Sequence, residues 1–300
     1  MRRNALSHAA ACRPQRGFTL VELIISMVLI SLLSLVAAPL LRIPMVAWMD
    51  ASRRAGLSND LDLAHTKLAE DLRRALPGSV RVRTVGARTL LEYMEVRAYG
   101  RFRAGPSGAA QVCPATCLGP GMNDVLQAAC SETCFTHLGT LEGDPPVPGT
   151  DWVVADALGG NVYLGGNVAV AGGSKSRLTA YNAGSGRVDL AAHVFPAVAA
   201  SKRFYLVSNP VTYECDLGTQ RLTRYWGYPV SALQPAAFGG GSNAPLATGV
   251  RACSLRYVPA GGLNKGGVVN VTLRLARAAA DTQVNENADL EASFAVSEGP

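Results

Sequence analysis

The chain has 300 residues, 48% apolar and 17% charged, which excludes a disordered polyelectrolyte and allows one or two packed domains. The formal charge is +6, carried by 24 Arg and 4 Lys against 22 acids, and placement matters more than the total. Residues 1–17 hold Arg2, Arg3, Arg13 and Arg16 and no acid, so without them the net charge falls to +2 and a polyanionic partner loses most of its support.

Residues 18–41 follow as FTLVELIISMVLISLLSLVAAPLL, with 18 apolar positions and Glu22 as the one ionisable group. A helix of this length spans roughly 36 Å, enough for a bilayer core of about 30 Å. Four arginines before it and none inside it predict a single membrane pass with a cytoplasmic N-terminus and everything after Arg42 exported. Three readings compete. A secretory signal would be cut near Val36-Ala37-Ala38, but the apolar run is too long and Pro39 would obstruct the cut. A plain anchor leaves Glu22 unexplained, and an ionisable group inside a membrane helix costs roughly 2.5–3.5 kcal/mol at its centre.

The third reading explains both the glycine and the glutamate. The run Arg16-Gly17-Phe18-Thr19-Leu20-Val21-Glu22 resembles the class III leader of type IV pilins and type II secretion pseudopilins. The resemblance implies cleavage between Gly17 and Phe18 by a prepilin peptidase, N-methylation of Phe18, and an assembly role for Glu22. It also implies the inner membrane and a periplasmic C-terminal domain. Cleavage would create an α-ammonium at Phe18, one helical turn from Glu22, and positions i and i+4 share a helix face. In a bundle, Glu22 of one subunit can pair instead with the Phe18 ammonium of a neighbour, an attraction strengthened by low dielectric, which would set subunit register. Pro39 and Pro44 are expected to interrupt the helix on its exported side, because each removes a backbone donor and crowds the preceding turn.

Residues 45–76 turn amphipathic, with Leu57, Leu61, Ala64, Leu68, Leu72 and Ala75 at helical spacing and Pro77-Gly78 as the stop. Beyond this the chain reads as strands over 80–85, 90–99, 151–155, 162–164, 203–207, 211–215, 221–225, 250–258, 268–275 and 290–296, with a hairpin at Gly86-Ala87. Residues 143–149, 168–176 and 238–245 read as loops. The expected fold is α+β: a long N-terminal helix, membrane half then amphipathic half, packed on an antiparallel β-sheet in the pilin-like manner. The expected organisation is a cleaved leader at 1–17, a helix at 18–76 with 18–41 transmembrane, and a β-rich globular domain at 77–300 carrying a Cys-containing insertion at about 105–140.

Three stretches are similar to the MSHA pilus biogenesis protein O family of minor pilins: AEDLRRALPGSVRV at 69–82, RFYLVSNPVTYECDLGTQRLTRYWGYP at 203–229 and LATGVRACSLRY at 246–257. Residues 100–200 resemble no known family. The resemblance implies a minor pilin of an MSHA-type pilus, acting in assembly, priming or at the tip. Its partners would be the prepilin peptidase, other major and minor pilins through the N-terminal helix, and the inner-membrane assembly platform. A minor pseudopilin of a type II secretion system is the rival within the class. A membrane-anchored periplasmic adhesin or binding module that never polymerises is the rival outside it.

Six of seven cysteines lie beyond the leader. Cys215 and Cys253 fall in two of the family-like stretches and are paired on that basis, with two buried thiols as the other reading. Cys113, Cys117, Cys130 and Cys134 form C-x₃-C-x₁₂-C-x₃-C. Nested bridges Cys113–Cys134 and Cys117–Cys130 would clamp a short helical hairpin turning at Gly119-Pro120-Gly121. Four thiolates around Zn²⁺ are the alternative, disfavoured by the three-residue spacing and by export. His8, His65, His137 and His193 show no metal spacing, and no phosphate-loop, nucleophile-elbow or dinucleotide motif is present. No enzyme activity and no cofactor is expected. Tyr225, Trp226 and Tyr228 read as core or subunit interface ahead of base stacking, and a group of Arg81, Arg83, Arg88, Arg97, Arg101 and Arg103 is the one local basic excess.

Overall fold

A computed structural model describes residues 17–103, 125–155, 161–260, 266–278 and 285–296. Two compact units divide after Ser52. Helix α1 is Leu20–Arg73, and it is continuous through Pro39 and Pro44, against the interruption expected there. The physical reason is local: a proline deletes one donor of the ladder, and the remaining i→i−4 bonds on either side carry the helix past it. The first unit contains the apolar part of α1, with its large side chains exposed along their whole length.

The second unit contains the end of α1 and the strands. Those are β1 (Arg81–Val85), β2 (Arg88–Phe102), β3 (Ser131–Gly143), β4 (Trp152–Val154), β5 (Lys175–Asn182) and β6 (Arg187–Val194), then β7 (Arg203–Asp216), β8 (Arg221–Trp226), β9 (Ser242–Thr248), β10 (Val250–Pro259), β11 (Gly267–Ala278) and β12 (Asn285–Val296). The architecture is α+β, an N-terminal helix against antiparallel sheet. The amphipathic stripe is buried as its spacing predicts: Ala64, Leu68 and Leu72 are fully covered, and Leu57, Leu61 and Ala75 nearly so. They meet Leu91, Tyr93, Val211, Tyr213, Leu222 and the inward residues of β10–β12 in one core. Each buried leucine contributes roughly 2 kcal/mol of apolar transfer, so this face anchors the helix.

Two long strands organise the rest. β2 and β7 pair from Arg88↔Asp216 to Arg101↔Arg203. Along residues 88–94 of β2, β1 lies on its free side, and along 211–216 of β7 lies β8, followed by β9; this five-stranded half faces α1. Farther along, β2 pairs with β3, β3 with β6, β6 with β5, β5 with β4, and β4 with β7. Because β2 and β7 also pair with each other, the six strands close into a ring. Phe102, Phe135, Leu178, Val188, Phe204 and Leu206 fill its interior. Closure gives each of these six strands two neighbours, each along part of its length. This ring accounts for most of the region that the sequence left without a resemblance.

The change of partners is written at Pro210. It lies where β7 leaves β4, last paired at Val207, and takes up β8, first paired at Val211, and it faces Met94 at a register shift in β2. A missing backbone donor is tolerated at such a break. The expected strands at 203–207 and 211–215 are thereby one strand. The β1–β2 hairpin turns on Gly86-Ala87, with φ +58 at Gly86, the positive value that the first central position of a type II′ turn requires.

Several expectations are corrected. Residues 162–164 are a turn, where the Asn161 side-chain oxygen accepts from the Tyr163 N–H at 2.9 Å, with Val162 and Tyr163 buried and Leu164 exposed. β9 occupies part of the expected loop 238–245, and β5 begins inside the expected loop 168–176. Cys134 lies on β3, so the segment from Cys130 to Cys134 is turn and strand in place of a helical arm. Cys113, Cys117 and the turn at Gly119-Pro120-Gly121 fall outside the described residues.

Candidate functional site: the leader junction and the helix it opens

Helix α1 starts one residue after Thr19, and that threonine is its cap. The Glu22 N–H donates to Thr19 Oγ1 at 3.3 Å, and the Leu23 N–H to the Thr19 carbonyl at 3.2 Å. Thr19 is therefore N-cap and Glu22 is position N3, the spacing of a capping box. A carboxylate in this first turn also lies where the orphan N–H groups and the helix dipole favour an anion. The same four residues thus carry the leader signature and a helix-start signal, and Thr19 is the functional residue that the sequence reading passed over although its signal was legible.

The cap fixes what the junction looks like in the uncleaved chain. Gly17 and Phe18 precede the cap and are not helical, and Phe18 is 75% exposed. A peptidase needs an accessible peptide bond outside regular structure, and the Gly17–Phe18 bond is one. A Cβ placed at Gly17 would meet nothing within 4 Å, and its φ is not in the left-handed region, so this fold makes no demand for glycine there. The same geometry qualifies the expected face-sharing of Phe18 and Glu22. In the uncleaved chain Phe18 lies outside the helix, and the i,i+4 relation holds only if the helix extends by a turn after cleavage.

Within the following segment polar groups are satisfied along the helix itself. Ser26 Oγ donates to the Leu23 carbonyl at 2.9 Å, Ser31 Oγ to Val28 at 2.8 Å and Ser34 Oγ to Ile30 at 2.7 Å. Such back-bonding makes serine tolerable in an apolar medium. One helix among the described residues, with its apolar window at Leu20–Ala37, is long and apolar enough to cross a membrane.

Across the larger unit, charged groups hold elements together. Asp71 on α1 is 2% exposed and accepts from Arg224 Nε on β8 at 2.5 Å, from Tyr213 Oη on β7 at 2.8 Å, and faces Lys67 Nζ at 3.1 Å. Burial alone would raise the Asp71 pKa, but Arg224, Tyr213 and Lys67 together outweigh it and hold it below the usual carboxylate range. Glu92 is fully buried with Arg81 Nε at 2.8 Å and the Tyr228 hydroxyl at 3.2 Å; here burial wins and raises its pKa.

The basic group at Arg81, Arg83, Arg88 and Arg97 is absorbed in the same way. Arg81 donates to the Ser231 and Ala232 carbonyls at 2.9 and 2.8 Å, Arg83 to Gln234, Arg88 to Ala236 and Glu214, and Arg97 pairs with Asp151 at 2.9 Å. Three of these arginines clamp the backbone of the segment after β8 against β1 and β2. Tyr225 and Tyr228 pack on Phe238 of that segment, at ring-centroid distances of 4.3 and 5.0 Å, and Trp226 packs against the main core. The aromatic cluster is structural. His65 lies against Phe294, His137 beside Tyr181 and His193 against Phe195. Among the described residues no group of His, Cys, Asp or Glu has the arrangement to hold a metal ion.

Cys215 on β7 and Cys253 on β10 are joined by a disulfide, with Cα atoms 6.4 Å apart and 38 residues between them in sequence. The bond staples the five-stranded half to the three-stranded sheet β10–β11–β12, across the core that holds α1. Cys130 and Cys134 each take part in a disulfide.

Residues 12–38 match the family described as prokaryotic N-terminal methylation motif. The match spans the charged end of the leader, the Gly17–Phe18 junction, the capping box and most of the apolar helix. No curated protein and no solved structure matches the chain. The chain therefore carries a type IV pilin-like class III leader on an apolar helix, followed by an α+β domain of pilin-like arrangement.

Proposed function

We propose that the protein is a minor pilin of an MSHA-type type IV pilus, cut by prepilin peptidase between Gly17 and Phe18 and methylated on Phe18. The observation that carries this is the methylation-motif match over residues 12–38, on a helix whose one ionisable side chain between 18 and 41 is Glu22. The apolar helix holds the subunit in the inner membrane, with the globular domain on the periplasmic side, until an assembly platform extracts it. In the filament the helix packs among those of other pilins, and Glu22 meets a neighbour's N-terminal ammonium. The stretches at 69–82, 203–229 and 246–257 favour the MSHA-type system over a type II secretion pseudopilus. The globular domain acts through binding in assembly, priming or at the tip, without catalysis and without a cofactor.

Incorporation of Glu22→Ala tests the assembly role. The variant is expected to be processed at the normal site and to be missing from sheared pili. Normal incorporation would refute the pairing, and failure of processing would show that Glu22 serves the peptidase first.

A further inference from the structure

We propose that a basic groove beside the C-terminal end of α1 is a docking site for an extended acidic segment of a partner protein, anchored by an apolar side chain. Two cavities meet there. One, of about 470 Å³, is walled by Arg73, Arg74, Pro77, Val96, Tyr205 and Ala295. The other, of about 360 Å³, runs along Arg101, Leu138, Thr140, Glu142 and Arg203. Tyr99 lines both, and its hydroxyl donates to Glu142 Oε2 at 2.5 Å, which fixes the ring between them. The register of β2 and β3 slips at this point, from Tyr99↔Glu142 to Arg101↔Leu138.

Charge selects the occupant. Five arginines line the two cavities, Arg73, Arg74, Arg97, Arg101 and Arg203, against the carboxylates of Glu142 and Asp144. Arg97 is committed to Asp151 at 2.9 Å, whereas Arg74 reaches Asp144 at 3.4 Å in an exposed pair of little strength. Arg73 and Arg101 are exposed and pair with no carboxylate among the described residues. The site therefore attracts anions, and its length calls for an extended ligand. Its larger cavity is walled by Pro77, Val96, Tyr205 and Ala295, which suits an apolar side chain better than a phosphate. Glu142 and Asp144 would also repel a polymer carrying a charge at every unit, while a peptide can space its carboxylates to avoid them. The groove is separate from the leader junction, and the proposal does not depend on polymerisation.

The test uses the full chain in lipid nanodiscs against an array of nonapeptides. Their flanks are Asp/Glu, Ser or Lys, and their central residue is Leu, Phe or Gly. Acidic peptides centred on Leu or Phe are expected to bind at least about tenfold tighter than their Gly-centred, Ser or Lys counterparts, and more weakly as salt rises. Arg73→Glu with Arg74→Glu, both at exposed positions, is expected to lose at least about tenfold while near-UV circular dichroism stays unchanged. Wild-type binding by that double variant, equal binding of the Ser or Lys peptides, or tighter binding of a single-stranded oligonucleotide in the same groove would overturn the proposal. A fold lost in the double variant passes the question to Arg101→Glu, on which the same losses are expected.

Discussion

Asp71→Asn gives the sharpest view of how the helix is fastened to the sheet. The substitution keeps the size of the side chain and one acceptor oxygen, and removes the charge that Arg224 Nε meets at 2.5 Å and Tyr213 Oη at 2.8 Å. Arg224 stays mostly covered, its side chain 12% exposed, so the cation is left without a counter-ion in a poorly solvated place. Breaking a buried pair from one side costs about 3–5 kcal/mol, which for a unit of this size lowers Tm by about 10 °C. Replacing both partners, Asp71→Leu with Arg224→Met, removes the stranded charge along with the pair and is expected to cost much less than the single change. The pH dependence follows from the same contacts. Asp71 has its pKa held below the ordinary value of 3.8, so its stabilisation is complete above that value and is lost as pH falls through the lower folded pKa. Asp71→Asn is therefore expected to flatten the acid limb of the stability profile. The assay is urea unfolding of the full chain in nanodiscs, followed by near-UV circular dichroism between pH 2.5 and 7 in steps of about half a unit. A cost below about 1 kcal/mol for Asp71→Asn, or a double variant as costly as the single, would refute the reasoning.

Two further predictions rest on the larger unit. Lys175 is fully buried, with Nζ donating to the Leu164 carbonyl at 2.7 Å, and burial, with Arg177 adding, lowers its pKa from 10.5 to about 8. The unfolded chain then binds the extra proton between about pH 8 and 10.5, so wild-type stability gains up to about 3 kcal/mol across that window relative to Lys175→Met. Unfolding of both proteins at pH 7.5 and 9.5 checks this, and a difference that does not change with pH contradicts it. Replacing Cys215 and Cys253 together by Ala reopens a 38-residue loop and is expected to cost about 4 kcal/mol, read as a lower urea midpoint with a steeper slope as the denatured chain expands.

What the sequence made legible and what it hid divide along physical lines. The leader, the apolar helix and the stripe from Leu57 to Ala75 are local patterns, and the helix and the stripe lie in the structure where the spacing puts them. Strands rich in apolar and aromatic residues were equally plain: β2, β8 and β10 carry Leu, Tyr, Val or Trp between polar residues, and β11 alternates strictly through Val269, Val271, Leu273 and Leu275. β5 was hidden because it opens on buried Lys175 and Ser176, polar residues at covered positions that erase the apolar signal. β6 was hidden by its small residues Ala191 and Ala192, and β9 by Pro245, which an outer strand of the sheet can accommodate. The closed ring could not be foreseen, since it depends on β4 meeting β7 and β3 meeting β6 across long separations, and no local pattern encodes a partner. The Arg81, Arg83 and Arg88 clamps have the same origin: a row of arginines looks like an anion-binding patch until the carbonyls of Ser231, Ala232 and Gln234 are brought beside it.

The account stands on the junction at Gly17. Intact-mass analysis and N-terminal sequencing of the membrane-extracted protein test it most directly. The predicted result is a chain that has lost residues 1–17 and begins at Phe18 with one added methyl group. A chain that retains Met1 and its leader in a strain with active prepilin peptidase, or a cut at any bond other than Gly17–Phe18, would contradict it.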